Sequence, residues 1–368
     1  MRSPRLALVG AVVLGILVVM PPAAAGTNPF LSLTWTRVGS EPVVPAGPVG
    51  SWDHYGVIAG SVLYVDGTYH LFYTGNDGTS WGLGHATSPD GIRWTKDPKN
   101  PAFWNAQSSV VLYENGLFKM WYVNVSGPAY AIDYATSVDG TAWDQSLANP
   151  VLTVSPSGWD SSLITTGAIL HDASGYRLWY TGTADHATFA GGLATSPDGV
   201  HWTKYAGNPV LSPGSLGAWT AGFVTPCDVF SNGTSLALWY VGGPAGAWQV
   251  GVAVSPDGIN WTAGDQPVLS ADATSWDSNQ ISRVSVLRVQ DTLWMWYTGM
   301  GGGTQQVGLA EAPYPSASSS PPPGVTQHIA IGPALNGLAI VGITAAGGLA
   351  AGGMALLGER LRKPRRPY

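Results

Sequence analysis

At 368 residues and a net charge of −6, with no basic cluster outside its two ends, the chain lacks the concentrated Lys/Arg footprint that a nucleic-acid surface needs. Only 10% of residues are charged, whereas Gly (49), Pro (28) and Trp (17) are abundant. That profile is rare in helical bundles and fits many short strands joined by tight turns.

Arg2 and Arg5 precede an uncharged apolar run at 6–20, followed by Ala23-Ala24-Ala25. This predicts a secretory signal over 1–25, too short in its apolar part to serve as a membrane span. Leu33-Thr-Trp35-Thr-Arg37 and Pro42-Val-Val44 then read as a strand with no unit of its own.

From there to residue 312 the chain is organised by self-similarity. Ser88-Pro-Asp-Gly-Ile-Arg-Trp94 recurs as Ser137-Val-Asp-Gly-Thr-Ala-Trp143, Ser196-Pro-Asp-Gly-Val-His-Trp202 and Ser255-Pro-Asp-Gly-Ile-Asn-Trp261. Each copy follows an aromatic run of the type Leu178-Trp-Tyr-Thr-Gly182, and a fifth run, Met295-Trp-Tyr-Thr-Gly299, comes last without an Asp-Gly turn after it. The period matches one four-stranded propeller blade, and Asp-Gly marks the hairpin between its third and fourth strands. The fifth unit lacks its fourth strand, and Trp35-Thr-Arg37 repeats the pattern of that strand. The fold predicted is therefore all-β: a five-bladed β-propeller over 27–312, closed by the N-terminal strand so that no sheet edge is left open.

Residues 313–328 are rich in Pro and Ser and predict an extended linker. Residues 329–357 carry no charge and predict a transmembrane helix, and Arg360, Arg362, Lys363, Arg365 and Arg366 make 358–368 a basic cytoplasmic tail. The propeller is thus expected outside the cell, held to the membrane by one span. A single cysteine, Cys227, excludes an internal disulfide and reads as a small buried side chain.

Trp276-Asp277, Met295-Trp-Tyr-Thr-Gly299, Ser255-Pro-Asp-Gly-Ile-Asn-Trp261 and Asn208-Pro-Val-Leu211 resemble the five-bladed glycosidase superfamily of arabinanases, levansucrases and invertases (glycoside hydrolase families 43 and 32). The resemblance covers about residues 27–313 and implies a carbohydrate ligand. The Asp-Gly hairpin is also similar to the Asp-box of sialidases, which use six blades and an arginine triad that this chain does not supply.

The superfamily places carboxylates on its first three blades. The matching positions here are Ala59, Ser109 and Thr166, so the resemblance implies the scaffold without its usual acid and base. The carboxylates left near the expected channel are Asp53 and Asp228, the candidate catalytic pair. Asp53 recurs as Asp160 and Asp277 in other units, which favours a repeated structural role. Asp228 and Arg283 depart from their repeats, and the reading is open between a channel ion pair and a clamp for sugar hydroxyls. Just before the third strand of each unit stand Trp81, Tyr130, Phe189, Trp248 and Gln305; four flat rings on one face suit stacking on pyranoses, although packing between blades is the plainer reading. With His54, Tyr55, Gln107 and Arg283, these aromatic residues form the candidate substrate-binding set. His70, His85, His171 and His201 lie on different predicted strands without ligand spacing, so no metal and no cofactor is expected. Three functions remain: a carbohydrate-recognition propeller without hydrolysis, a divergent glycoside hydrolase using Asp53 and Asp228, and a protein-interaction scaffold.

Overall fold

Runs rich in Val, Tyr and Trp alternate with turn residues throughout, and the backbone follows that alternation. The structure, a computed structural model, describes residues 28–127, 130–244, 246–315 and 329–330, and no α-helix occurs among them. Asp66-Gly67 and Asn115-Gly116 have positive φ at both positions, the geometry that lets a two-residue turn join strands of right-handed twist.

A short strand, β1 (Thr36–Arg37), precedes the first antiparallel unit, which is β2 (Gly56–Val65), β3 (Thr68–Asn76), β4 (Trp81–Ser88) and β5 (Thr95–Lys96); β6 (Phe103–Trp104) also pairs with β4. The second is β7 (Ala106–Glu114), β8 (Leu117–Asn124), β9 (Ala131–Ser137) and β10 (Asp144–Gln145). β11 (Leu163–Asp172), β12 (Gly175–Thr183), β13 (Ala190–Ser196) and β14 (Thr203–Lys204) make the third. β15 (Phe223–Ser231), β16 (Leu236–Gly243), β17 (Gln249–Ser255) and β18 (Thr262–Ala263) make the fourth. The last has three consecutive strands, β19 (Gln280–Val289), β20 (Thr292–Gly301) and β21 (Thr304–Pro313), and its outer strand is β1, paired Thr36↔Glu311 and Arg37↔Ala310. The expected closure by the N-terminal strand is present.

The first strands of successive units touch in a closed cycle, β2 to β7 to β11 to β15 to β19 and back to β2. Five apolar clusters each lie between two neighbouring units, such as Trp121 with Leu178 and Trp179 with Leu238. The fold is therefore all-β and propeller-like, and each unit buries its faces only when its neighbours are in place.

The Asp-Gly turns join the units. Trp121 Nε1 donates to Gly199 O at 2.6 Å, Trp179 Nε1 to Gly258 O at 2.8 Å and Trp296 Nε1 to Gly91 O at 2.8 Å. The hairpin's own tryptophan shares each acceptor, as Trp261 Nε1 does at 3.1 Å from Gly258 O. Glycine is required there twice over: φ is positive, and a Cβ on Gly258 would lie 2.7 Å from the Trp179 ring. Trp239 has no such turn to meet, because the last unit lacks one. Its Nε1 is buried without a hydrogen-bond partner, and Phe30 and Trp35 pack edge-on against its ring instead.

His70 and His85, on adjacent strands, meet at 3.0 Å between the first and second units. Burial pulls His85 down to about 4, with His70 adding to the shift, and lowers His70 as well. A folded-state value below the ordinary imidazole value makes the unfolded chain bind more protons, so stability falls as pH drops through the window between the two. Between pH 7 and pH 5 His85 is expected to cost about 2 kcal/mol. Urea unfolding at both pH values checks this, and in His85→Phe the difference should largely vanish.

The ordered fold runs past the predicted boundary at 312. Tyr314 N donates to Asp291 O at 2.8 Å, and the Tyr314 ring packs on Phe30 and under the Arg288 guanidinium, burial that the proline-rich context hides. Among the described residues no helix is long and apolar enough to cross a membrane. The predicted signal at 1–25, the tail at 358–368 and the span at 329–357 lie outside the described residues, except that Ile329–Ala330 form a two-residue strand, β22, parallel to β19.

Candidate functional site

Each innermost strand breaks register about midway, between Ala59 and Ser61, Gln107 and Val110, Thr165 and Ala168, Pro226 and Asp228, and Ser282 and Val284. Such bulges re-aim side chains, and here they floor a cavity of about 570 Å³. Ile58, Gln107, Ser108, Thr165, Cys227 and Arg283 come from the five strands and line it. Ser108 and Arg283 hold positive φ at their bulges.

Trp81, Tyr130, Phe189, Trp248 and Gln305 all line the cavity, and all are half-buried. Both the backbone and the side chains at these positions take part in packing between units. The carbonyls join units, with Trp81 O accepting from Asn105 N at 2.8 Å, Phe189 O from Val224 N at 3.0 Å and Trp248 O from Ile281 N at 3.0 Å. Phe189 and Trp248 line the cavity while also packing on the apolar cluster of the last two units, with the Trp248 and Phe223 ring centroids 5.0 Å apart. Tyr55 and Gln107 line it too, whereas His54 does not; its Nδ1 lies 2.7 Å from Ser51 O.

Asp53 and Asp228 line no part of this cavity. Asp53 is buried against Lys96 at 2.6 Å and accepts from Ser51 Oγ at 2.9 Å. Asp160 with Lys204 at 2.6 Å and Asp277 with Arg37 at 2.7 Å repeat the arrangement, and each also accepts from a tyrosine hydroxyl, Tyr180 at 2.9 Å and Tyr297 at 3.0 Å. In each case the cation comes from the unit's outermost strand, so the aspartate ties the outer strand to the first loop.

Asp228 accepts from Val229 N at 2.8 Å and, across to the next unit, from Val286 N at 2.7 Å and Ser285 Oγ at 3.2 Å. Ser61 Oγ and Ser285 Oγ accept from Val111 N and Val62 N in the same way, so Asp228 performs the ring-joining task of its repeat with a longer arm. The structure therefore does not bring the two carboxylates together. Among the described residues that line the cavity there is no Asp or Glu.

Arg283 feels the charge of Asp228 and is held in place by neutral oxygens. Nη1 donates to Thr166 O at 2.9 Å, and Nη2 to Ser109 O at 3.1 Å and Thr166 Oγ1 at 3.2 Å, so one side chain of β19 reaches β7 and β11 across the ring. Burial lowers its pKa against the opposing pull of Cys227 and Asp228. Cys227 is buried beside it, and desolvation pushes its thiol up.

His186 also lines the cavity, from the loop between β12 and β13. Thr183-Ala-Asp185-His186-Ala-Thr188 makes the same bonds as the Asp-Gly turns: Thr183 Oγ1 accepts from His186 N, and Asp185 Oδ1 from Ala187 N and Thr188 N. His186 takes the left-handed position held elsewhere by glycine, with φ 57°. The likeness of the two hexapeptides was a signal for this residue.

No family model matches the chain. Two uncharacterized Mycobacterium tuberculosis proteins, MT1551 of strain CDC 1551 / Oshkosh and Rv1502 of strain ATCC 25618 / H37Rv, are each 28% identical over 149 residues. The match takes in 39% of this chain and 48% of each relative, so the chain spans about half the length of the curated relatives it matches. Among solved structures, a glycosyl hydrolase from Bacteroides ovatus superposes with a TM-score of 0.60 at 15% identity, over 79% of this chain and 96% of that one. The β-1,2-mannobiose phosphorylase of Listeria innocua, in complex with β-1,2-mannobiose, gives 0.58 at 14% identity over 76% and 97%. A structure from work on the GH130 family of mannoside phosphorylases, which contains glycoside hydrolases that target β-1,2-mannosidic linkages in Candida mannan, gives 0.57 at 16% over 79% and 96%. At these identities the likeness is one of fold, and that fold is glycosidase-like.

Proposed function

We propose that the chain is a carbohydrate-recognition protein on a five-bladed, glycosidase-like propeller, exported and tethered to the membrane through 329–357. The observation that carries this reading is the cavity floored by all five innermost strands and walled by Trp81, Tyr130, Phe189 and Trp248, with no Asp or Glu among its described lining residues. Flat apolar faces beside amide and hydroxyl groups suit sugar rings, and hydrolysis by the usual route needs two carboxylates at the scissile bond. The kinship with arabinanases, levansucrases and invertases belongs to the same proposal, supported by the repeat motifs and the five interlocked units.

A glycan array with the full-length protein is expected to show binding without release of reducing sugar. Trp81→Ala and Trp248→Ala should each weaken the best ligand about tenfold, as loss of a stacked ring does. Turnover of any bound glycan, or silent behaviour of both variants, would overturn the reading.

A further inference from the structure

The cavity has a charge character that its aromatic wall does not require. Arg283 lies on its floor, while the described lining holds no Asp or Glu. The guanidinium is held by neutral oxygens of Ser109 and Thr166. Its Nε is buried with no hydrogen-bond partner. A buried cation paired with carbonyls and a hydroxyl is costly in a low-dielectric setting, and an incoming anion offsets that cost. Asp228 supplies part of the counter-charge from the neighbouring strand, but its carboxylate is turned to Val229, Ser285 and Val286. Arg283 is also held at φ 30°, a conformation that L residues rarely adopt, inside a bulge that turns it toward the axis.

From this arrangement we infer that the cavity selects sugars bearing an oxyanion, a uronic acid carboxylate or a sulfate ester, with the anionic group seated toward Arg283 and the ring against the aromatic wall. The inference rests on the carbohydrate reading above and adds the class of sugar. Charge-assisted hydrogen bonds are stronger than neutral ones, so an acidic sugar gains affinity that its neutral counterpart lacks.

The test is calorimetric titration of the full-length protein with oligogalacturonates, the same oligomers methyl-esterified, and sulfated and unsulfated galactan oligomers. The acid form is expected to bind about tenfold or more tightly than its ester. Preference for the sulfated galactan over the unsulfated one would support the inference and identify a sulfate ester as the source of the oxyanion. The acid-to-ester comparison is made on the unaltered protein, so it holds even if a variant fails to fold. In Arg283→Gln the ratio should fall toward one. Neutral oligomers that bind as tightly as acidic ones would overturn the inference and leave the carbohydrate reading standing. Absence of binding to every glycan, neutral or acidic, would overturn both.

Discussion

Trp179→Ala is expected to destabilise the protein by about 3 to 5 kcal/mol, the range for removing a fully buried large aromatic. The ring has no exposed surface, lies edge-on to Trp261 with centroids 5.9 Å apart, and donates to Gly258 O in the next unit. Trp179→Phe keeps most of the volume and loses the donor with part of the indole, so about 1 to 2 kcal/mol is expected for it. Equilibrium unfolding in urea separates the two. Near-equal losses would show that hydrogen bonding, and not packing, joins the third and fourth units. Trp239 supplies the control within the same molecule: its Nε1 has no hydrogen-bond partner, so Trp239→Phe should cost less than Trp179→Phe.

Asp277→Ala is expected to cost about 3 kcal/mol, because it leaves Arg37 against a buried site without its counter-ion. The effect should be local to closure: β1 loses its side-chain tie to the first loop of the last unit, and hydrogen exchange at Thr36 and Arg37 should rise first. Asp53→Asn touches the equivalent ion pair with Lys96 and should lower stability while leaving glycan affinity unchanged, since Asp53 lines no part of the cavity. Loss of binding in Asp53→Asn at unchanged stability would restore the carboxylate to the site.

The features legible in the sequence are those that repeat. The Asp-Gly turns, the aromatic second strands and the displaced outer strand at Trp35-Thr-Arg37 recur with a fixed period, and local turn chemistry and alternation fix them without reference to the rest of the ring. The aromatic positions before each third strand were legible for the same reason. The contacts of Arg283 were not, because its partners on β7 and β11 lie more than a hundred residues away and meet it only once the ring has closed. The partners of Asp53, Asp160 and Asp277 were hidden as well: Lys96, Lys204 and Arg37 sit on two-residue strands where a single cation in a polar context reads as solvent-facing. His186 escaped because the residue that takes the left-handed position is not a glycine.

The pairing of β1 with β21 also sets a timetable. Arg37 and Asp277 are 240 residues apart, so the strand made first by the ribosome is the last to find its partner. Until the final unit has been synthesised, β1 has no strand to pair with, and Trp239, Phe30 and Trp35 lack the seam that covers them. A chain truncated just before β21 keeps all four Asp-Gly turns yet cannot complete the ring. Such a copy leaves β1 unpaired and the apolar seam around Trp239 uncovered, which exposes it to aggregation.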